Sequence, residues 1–185
     1  MSPTTSGVMT KVIDNYLTQS YHKEIQDLLT GSNFPWFYNK DITNVDEDPN
    51  TKSFNEYGFT HNFHKDSYFR DTQYATFIKP LLLNLEDTVN CDYILRSRAD
   101  MVMWSFEDYI HPPHVDFDYS NVATILYIND TDGDTILYDQ NNPSEIKERV
   151  NPKANRLVIF DGDVLHTGCS PTKHKNRILI NSNFK

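Results

Sequence analysis

The chain has 185 residues, which suits one compact domain with an N-terminal elaboration better than two independent domains. Hydrophobic residues at 38%, aromatics at 13% and only 6 glycines exclude a disordered, collagen-like or low-complexity chain. A formal net charge of -9 removes global attraction to phosphate backbones, so no nucleic-acid partner is expected.

Residues 1–10, MSPTTSGVMT, lack the basic and apolar blocks of a signal peptide. No window reaches the ~18 apolar residues of a bilayer span, so no membrane partner is expected either. From Lys11 to Leu29, Ile13, Tyr16, Leu17, Tyr21, Ile25, Leu28 and Leu29 recur at three- and four-residue steps before Gly31. This predicts an amphipathic helix over 11–29. After the aromatic stretch Phe34 to Tyr38 comes a polar run over 41–53 that reads as a surface loop, and then FNEYGFTHNFHKDSYF (54–69), read as a lid-like loop. His22, His61, His64 and His174 have no ligand spacing and are expected at the surface. A second helix is predicted over 71–85, with Tyr74, Phe77, Ile78, Leu81 and Leu85 on one face and a kink or restart at Pro80.

Beyond Asn90 short β-rich runs follow one another with no helical period: YILRSRADMVMW, NVATILYIND, DTILYD, NRLVIFDG and NRILINSNF. They predict a mainly β (α+β) fold. A jelly-roll-like core over 91–185 would carry a helical N-terminal part, residues 1–90, packed on one sheet. Cys91 and Cys169 are too few for a disulfide framework, which points to a reducing, cytoplasmic setting, with Cys169 a small buried side chain.

The segment His111-Pro112-Pro113-His114-Val115-Asp116 carries the chemistry. Side chains at i and i+2 of a strand share a face, so His114 and Asp116 can offer a nitrogen and an oxygen to one metal ion. Alone the pattern is weak, but Val164-Leu165-His166-Thr167-Gly168 supplies a second histidine after the strand NRLVIFDG. Two histidines and a carboxylate can occupy one face of an octahedral ferrous ion and leave positions open. In the last strand Arg177 shares a face with Leu179, Asn181 and Asn183, opposite Ile178, Ile180 and Phe184. A guanidinium on that face calls for an anion, and a bidentate cosubstrate carboxylate would serve. Tyr127, on the strand after HVD, could add a phenolic hydrogen bond to the same carboxylate. Trp104 and His111 are candidates for groups beside the metal or the substrate.

The order HVD, NVATILYIN, DGDTILYD, NPKANRLVIFDGDVLHTG and NRILINSNF resembles the Fe(II)- and 2-oxoglutarate-dependent oxygenases, in their prolyl 4-hydroxylase-like branch, over roughly residues 93–184. NFPWFY near the N-terminus is also similar to compact oxygenases of marine bacteriophages, which would imply a host cytoplasm. The resemblance implies a double-stranded β-helix with iron at His114, Asp116 and His166 and 2-oxoglutarate at Arg177 and Tyr127. Ascorbate would be an optional reductant. The implied activity is hydroxylation of an unactivated C–H bond, foremost in a prolyl residue of a peptide or protein. A free amino acid or other small molecule is the alternative substrate. Arg177 stands where collagen-type enzymes usually carry lysine, and Asp132-Gly133-Asp134 replaces a common glycine pair. Two further readings are a zinc hydrolase and a non-catalytic cupin-like or viral structural jelly roll.

Overall fold

The computed structural model describes residues 10–43, 56–65, 68–70 and 72–185. The chain opens with strand β1 (Lys11–Ile13), helix α1 (Gln19–Thr30) and strands β2 (Phe37–Asn39), β3 (Gly58–Lys65) and β4 (Tyr68–Phe69). Helix α2 (Gln73–Val89) leads into the β half: β5 (Ile94–Met103), β6 (Val122–Tyr127), β7 (Thr135–Tyr138), β8 (Ile146–Val150), β9 (Leu157–Asp161), β10 (His166–Gly168) and β11 (Asn176–Phe184). The large sheet runs β1-β9-β6-β11-β5-β3-β2, with β4 on β3, and the small sheet runs β10-β7-β8; all the pairings are antiparallel. This is the mainly β, two-sheet architecture that the run of short strands predicts, with both helices on one side.

Period two divides the core. Ala123, Ile125, Tyr127, Val158, Phe160 and Leu179 of the large sheet turn inward against Leu137 and Val150 of the small one. Their neighbours Leu126, Ile128, Leu157, Ile178, Ile180 and Phe184 turn outward and are covered by Ile25 and Leu29 of α1 and Ile78, Leu81, Leu82 and Leu85 of α2. Each helix is capped by a threonine: Thr18 accepts from Tyr21 N–H at 3.4 Å, and Thr72 from Ala75 N–H at 3.1 Å. Helix α2 continues through the exposed Pro80, with no restart. A mid-helix proline costs about 3 kcal/mol, less than burying the four apolar side chains around it returns at ~1.5–3 kcal/mol each.

The structure corrects the sequence reading in three places. The predicted helix over 11–29 starts only at Gln19, because Lys11–Ile13 pairs with Leu157–Ile159 and Asn15 takes a left-handed conformation (φ 54) that ends the strand. Asp14 fastens that turn through Arg156 Nε at 2.7 Å and Lys153 Nζ at 3.0 Å. The stretch read as a lid-like loop contains β3, which pairs with β5 from Gly58 to His64. Residues 54, 55, 66 and 67 of the same reading, 44–53 of the predicted surface loop, residue 71 of the predicted second helix, and residues 1–9 lie outside the described residues. His22, His61 and His64 are buried rather than superficial, and only His174 of that group faces solvent. His61 packs among Phe34, Phe37, Phe63 and Tyr74, so ring packing explains its burial.

Asn155 joins the N-terminal segment to the β core. It sits at φ 62, and its side-chain amide donates to Leu17 O and accepts from Leu17 N–H, both at 2.8 Å and buried. Asn155→Ala removes both bonds and leaves two buried backbone groups unpaired. A loss of about 2–4 kcal/mol is expected, read by urea denaturation.

Candidate active site

His114 and Asp116 lie in the long connection between β5 and β6 rather than in a strand, and a tertiary contact brings them to His166. His114 and His166 form an isolated antiparallel bridge, each backbone N–H donating to the other's carbonyl at 2.9 Å. Their rings stand 4.8 Å apart, centre to centre. Each Nδ1 faces a backbone carbonyl, Pro112 O at 3.2 Å for His114 and Val164 O at 2.8 Å for His166. Donating there places the Nδ1 proton and leaves each Nε2 lone pair for a metal. The two Nε2 atoms approach opposite oxygens of Asp116, at 4.0 Å from Oδ1 and 3.9 Å from Oδ2. Ligand atoms of all three residues fall within 4.8 Å of one another, and the buried His166 Nε2 has no hydrogen-bond partner.

Asp116 is held at both carboxylate oxygens. Arg96 Nη2 meets Oδ1 at 2.6 Å, and Asn183 and Asn181 donate to Oδ2 at 3.0 and 3.4 Å. Burial pushes the Asp116 carboxyl up, but the Arg96 guanidinium, His166 and Arg98 together hold it well below the usual carboxylate range. Burial, then the neighbouring His166, brings His114 down to about 4, with Asp116 opposing. At neutral pH the site therefore offers a carboxylate and a neutral imidazole. Two imidazole nitrogens and an oxygen on a common focus, one of them an orphaned buried acceptor, fit a ferrous ion.

Arg177 enters the same cavity from β11, flanked by Ile125, Thr135, Gly168 and Leu179. Its side chain is buried, Nη2 donates to Thr135 Oγ1 at 2.7 Å, and Nε has no acceptor. Among the described residues no carboxylate lies within salt-bridge distance of it, so the guanidinium lacks a counter-charge. Gly168 makes room for it, since a Cβ there would stand 2.8 Å from Arg177 Nη1. Tyr127 is fully buried in the inner core, its hydroxyl 2.6 Å from Thr135 Oγ1 and its ring 5.5 Å from the Arg177 guanidinium carbon. Thr135 thus joins the tyrosine to the arginine.

Of the remaining sequence candidates, His111 lines the cavity, buried and 3.1 Å from Ser170 Oγ, with burial and then Arg177 lowering its pKa to about 4. Trp104 is half-exposed and donates to Thr172 O at 2.8 Å, outside the cavity lining. Cys169 is buried, as expected. Sequence reasoning missed Arg96, Arg98, Asp100, Thr135 and Gly168. A signal existed: in Arg96-Ser97-Arg98-Ala99-Asp100 the charges alternate at the strand period, which puts them all on one face.

Two antiparallel sheets enclose a His-Asp-His cluster and a buried cation, and comparison with known proteins finds a partial family match and a shared fold. Residues 101–185 match the sequence profile of the 2OG-Fe(II) oxygenase superfamily. The matched segment takes in His114, Asp116 and His166, the three residues of the cluster. No curated protein matches the chain by sequence. Solved structures share the fold at low identity. An oxidoreductase of the 2OG-Fe(II) oxygenase family from Burkholderia pseudomallei has a TM-score of 0.71 at 10% identity, over 96% of this chain and 85% of that one. A prolyl hydroxylase from Trichoplax adhaerens, in complex with a hypoxia inducible factor peptide fragment, has 0.67 at 17%, over 97% and 84%. A Pseudomonas putida prolyl-4-hydroxylase has 0.57 at 13%, over 95% and 92%. Among the described residues no helix is long and apolar enough to cross a membrane.

Proposed function

We propose that this chain is a 2-oxoglutarate-dependent dioxygenase that hydroxylates an unactivated C–H bond of a prolyl-type substrate. His114, Asp116 and His166 would hold the ferrous ion, and Arg177 would bind the distal carboxylate of 2-oxoglutarate. The observation that carries this reading is a buried guanidinium, with no counter-anion among the described residues, in the cavity that His114 and His166 of the triad also line. Bound at the triad, the iron would supply oxygen activation, and the overall reaction would convert the C–H substrate, 2-oxoglutarate and O₂ to the hydroxylated product, succinate and CO₂.

The chain's own groups bind and shield. Arg96 and Asn183 keep Asp116 ionised and aimed at the ion. Thr135 orients the Arg177 fork from one side, and Tyr127 supports Thr135. Ile125, Val102 and Leu179 give the cavity apolar walls that exclude water. The prolyl class is supported by the likeness to prolyl hydroxylases, in a peptide as in the Trichoplax complex. A second form of it, the free amino acid, is favoured by the charged wall described below.

The test is an anaerobic titration of the apoprotein with Fe(II) and then 2-oxoglutarate, followed by visible absorption. A weak charge-transfer band on addition of 2-oxoglutarate is the expected result; its absence, with zinc-dependent hydrolysis instead, would support the hydrolase. Gly168→Ala provides a finer check. The added Cβ displaces the Arg177 guanidinium, so 2-oxoglutarate binding to the Mn(II)-loaded protein is expected to weaken about tenfold, ~1.4 kcal/mol, by isothermal titration calorimetry.

A further inference from the structure

Three polar side chains in the cavity contact neither the ferrous ion nor 2-oxoglutarate as proposed, although Asn181 also donates to the ligand Asp116. Arg98 and Asp100 project from β5 on the same face, and Asn181 stands directly across the ladder from Arg98 on β11, diagonal to Asp100. All three line the cavity of the triad. Arg98 Nε donates to Asp100 Oδ2 at 3.0 Å and lies 2.9 Å from Oδ1, with which its single N–H is not aligned. Asp100 Oδ1 is therefore a buried carboxylate oxygen without a donor, on a side chain only 9% exposed. Asn181 Oδ1 is a second buried acceptor without a donor, while the same amide donates to Asp116. The Arg98 guanidinium has one further bond, Nη2 to Ile42 O at 3.4 Å.

An ion pair kept only for stability is a poor use of a buried wall, since well-packed apolar residues in its place are often neutral or stabilising. Here both orphaned acceptors and the guanidinium belong to residues lining the space beside the metal-binding histidines. The wall thus presents two acceptors that lack a donor next to a guanidinium whose one ion pair among the described residues is with Asp100. A ligand completing it must carry a hydrogen-bond-donating cation close to an anion. Residues inside a peptide have neither charge on their backbone, whereas a free amino acid has both, on adjacent carbons.

We propose that Asp100 and Asn181 receive the substrate's protonated amine and Arg98 its carboxylate, so that the substrate is a free amino acid rather than a residue within a polypeptide. This inference rests on the oxygenase reading above and assigns the substrate side of that same site. Because the wall is dipolar with no net charge of its own, a zwitterion matches it while a singly charged analogue leaves one end unpaired.

The test uses the full chain loaded with Mn(II) as a redox-silent ion and saturated with 2-oxoglutarate. L-Proline and a panel of the other free L-amino acids are compared with their N-acetyl and methyl ester forms, and with proline-rich peptides, by titration calorimetry. At least one free amino acid is expected to bind, with a Kd raised at least tenfold by either blocking group. The isosteric Asp100→Asn is expected to raise the same Kd at least tenfold. Binding of peptides with no free amino acid bound would overturn the proposal, as would blocked forms binding equally well. Because the blocked ligands test the wild-type protein, the result stands even where the variant fails to fold. Failure of 2-oxoglutarate itself to bind would instead refute the oxygenase reading.

Discussion

With His166→Ala, the protein is expected to lose Fe(II) on gel filtration while keeping its fold. Removing a partner outside the coordination sphere already costs about 10–100-fold in metal affinity, so removal of a ligand should exceed that range. The His166 backbone bridge to His114 survives the substitution, because it uses main-chain atoms only. Asp116→Asn should lose the ion to a similar extent, with an added cost to folding, since Arg96 then faces a neutral amide in place of the carboxylate at 2.6 Å. Mn(II) titration followed by electron paramagnetic resonance reads metal affinity directly and separates it from turnover. Full metal content in either variant would show that the triad is not the metal site.

Arg177→Leu has the second-largest expected effect, and it acts in opposite directions on two measurements. Loss of a charge-assisted bidentate pair is worth ~1.5–3 kcal/mol, so the Kd for 2-oxoglutarate should rise by an order of magnitude or more. The ligand-free protein should melt at a higher temperature than the parent, because the buried guanidinium has one hydrogen bond to Thr135, the Tyr127 ring beside it and, among the described residues, no counter-charge. Stability lowered in the ligand-free state and unchanged cosubstrate affinity would together assign Arg177 a structural role. The same comparison in saturating 2-oxoglutarate should reverse the order of melting temperatures, since the parent alone gains binding free energy from the ligand.

Several buried histidines and charges show where reading along the chain stops. His61 and His64 have polar neighbours in sequence and look superficial, yet β3 pairs with β5 and turns them under aromatic rings. Lys11–Ile13 fits the helical period of the residues after it, but β9 offers it a ladder and Asn15 separates it from α1. In each case a partner more than 30 residues away supplies hydrogen bonds that outweigh a local preference. Strands β8 and β10 carry little β-rich signal of their own, since one is a charged edge strand and the other is three residues long.

What the residues determine by themselves is local: His114 and Asp116 two apart, His166 following a strand, and Arg177 on the face of Leu179, Asn181 and Asn183. Period two and near-neighbour spacing are properties of the backbone, so this much of the site could be read without coordinates. Only the tertiary structure decides what each group meets. It is the His114–His166 bridge that closes the triad, the pairing of β11 with β5 that sets Asn181 against Arg98, and the small sheet that brings Thr135 to both Tyr127 and Arg177. Those contacts join residues 8 to 83 positions apart, through registers that no local period specifies. Substrate preference falls on the tertiary side for the same reason, because a charge on a strand becomes a subsite only when the opposite wall leaves it unpaired.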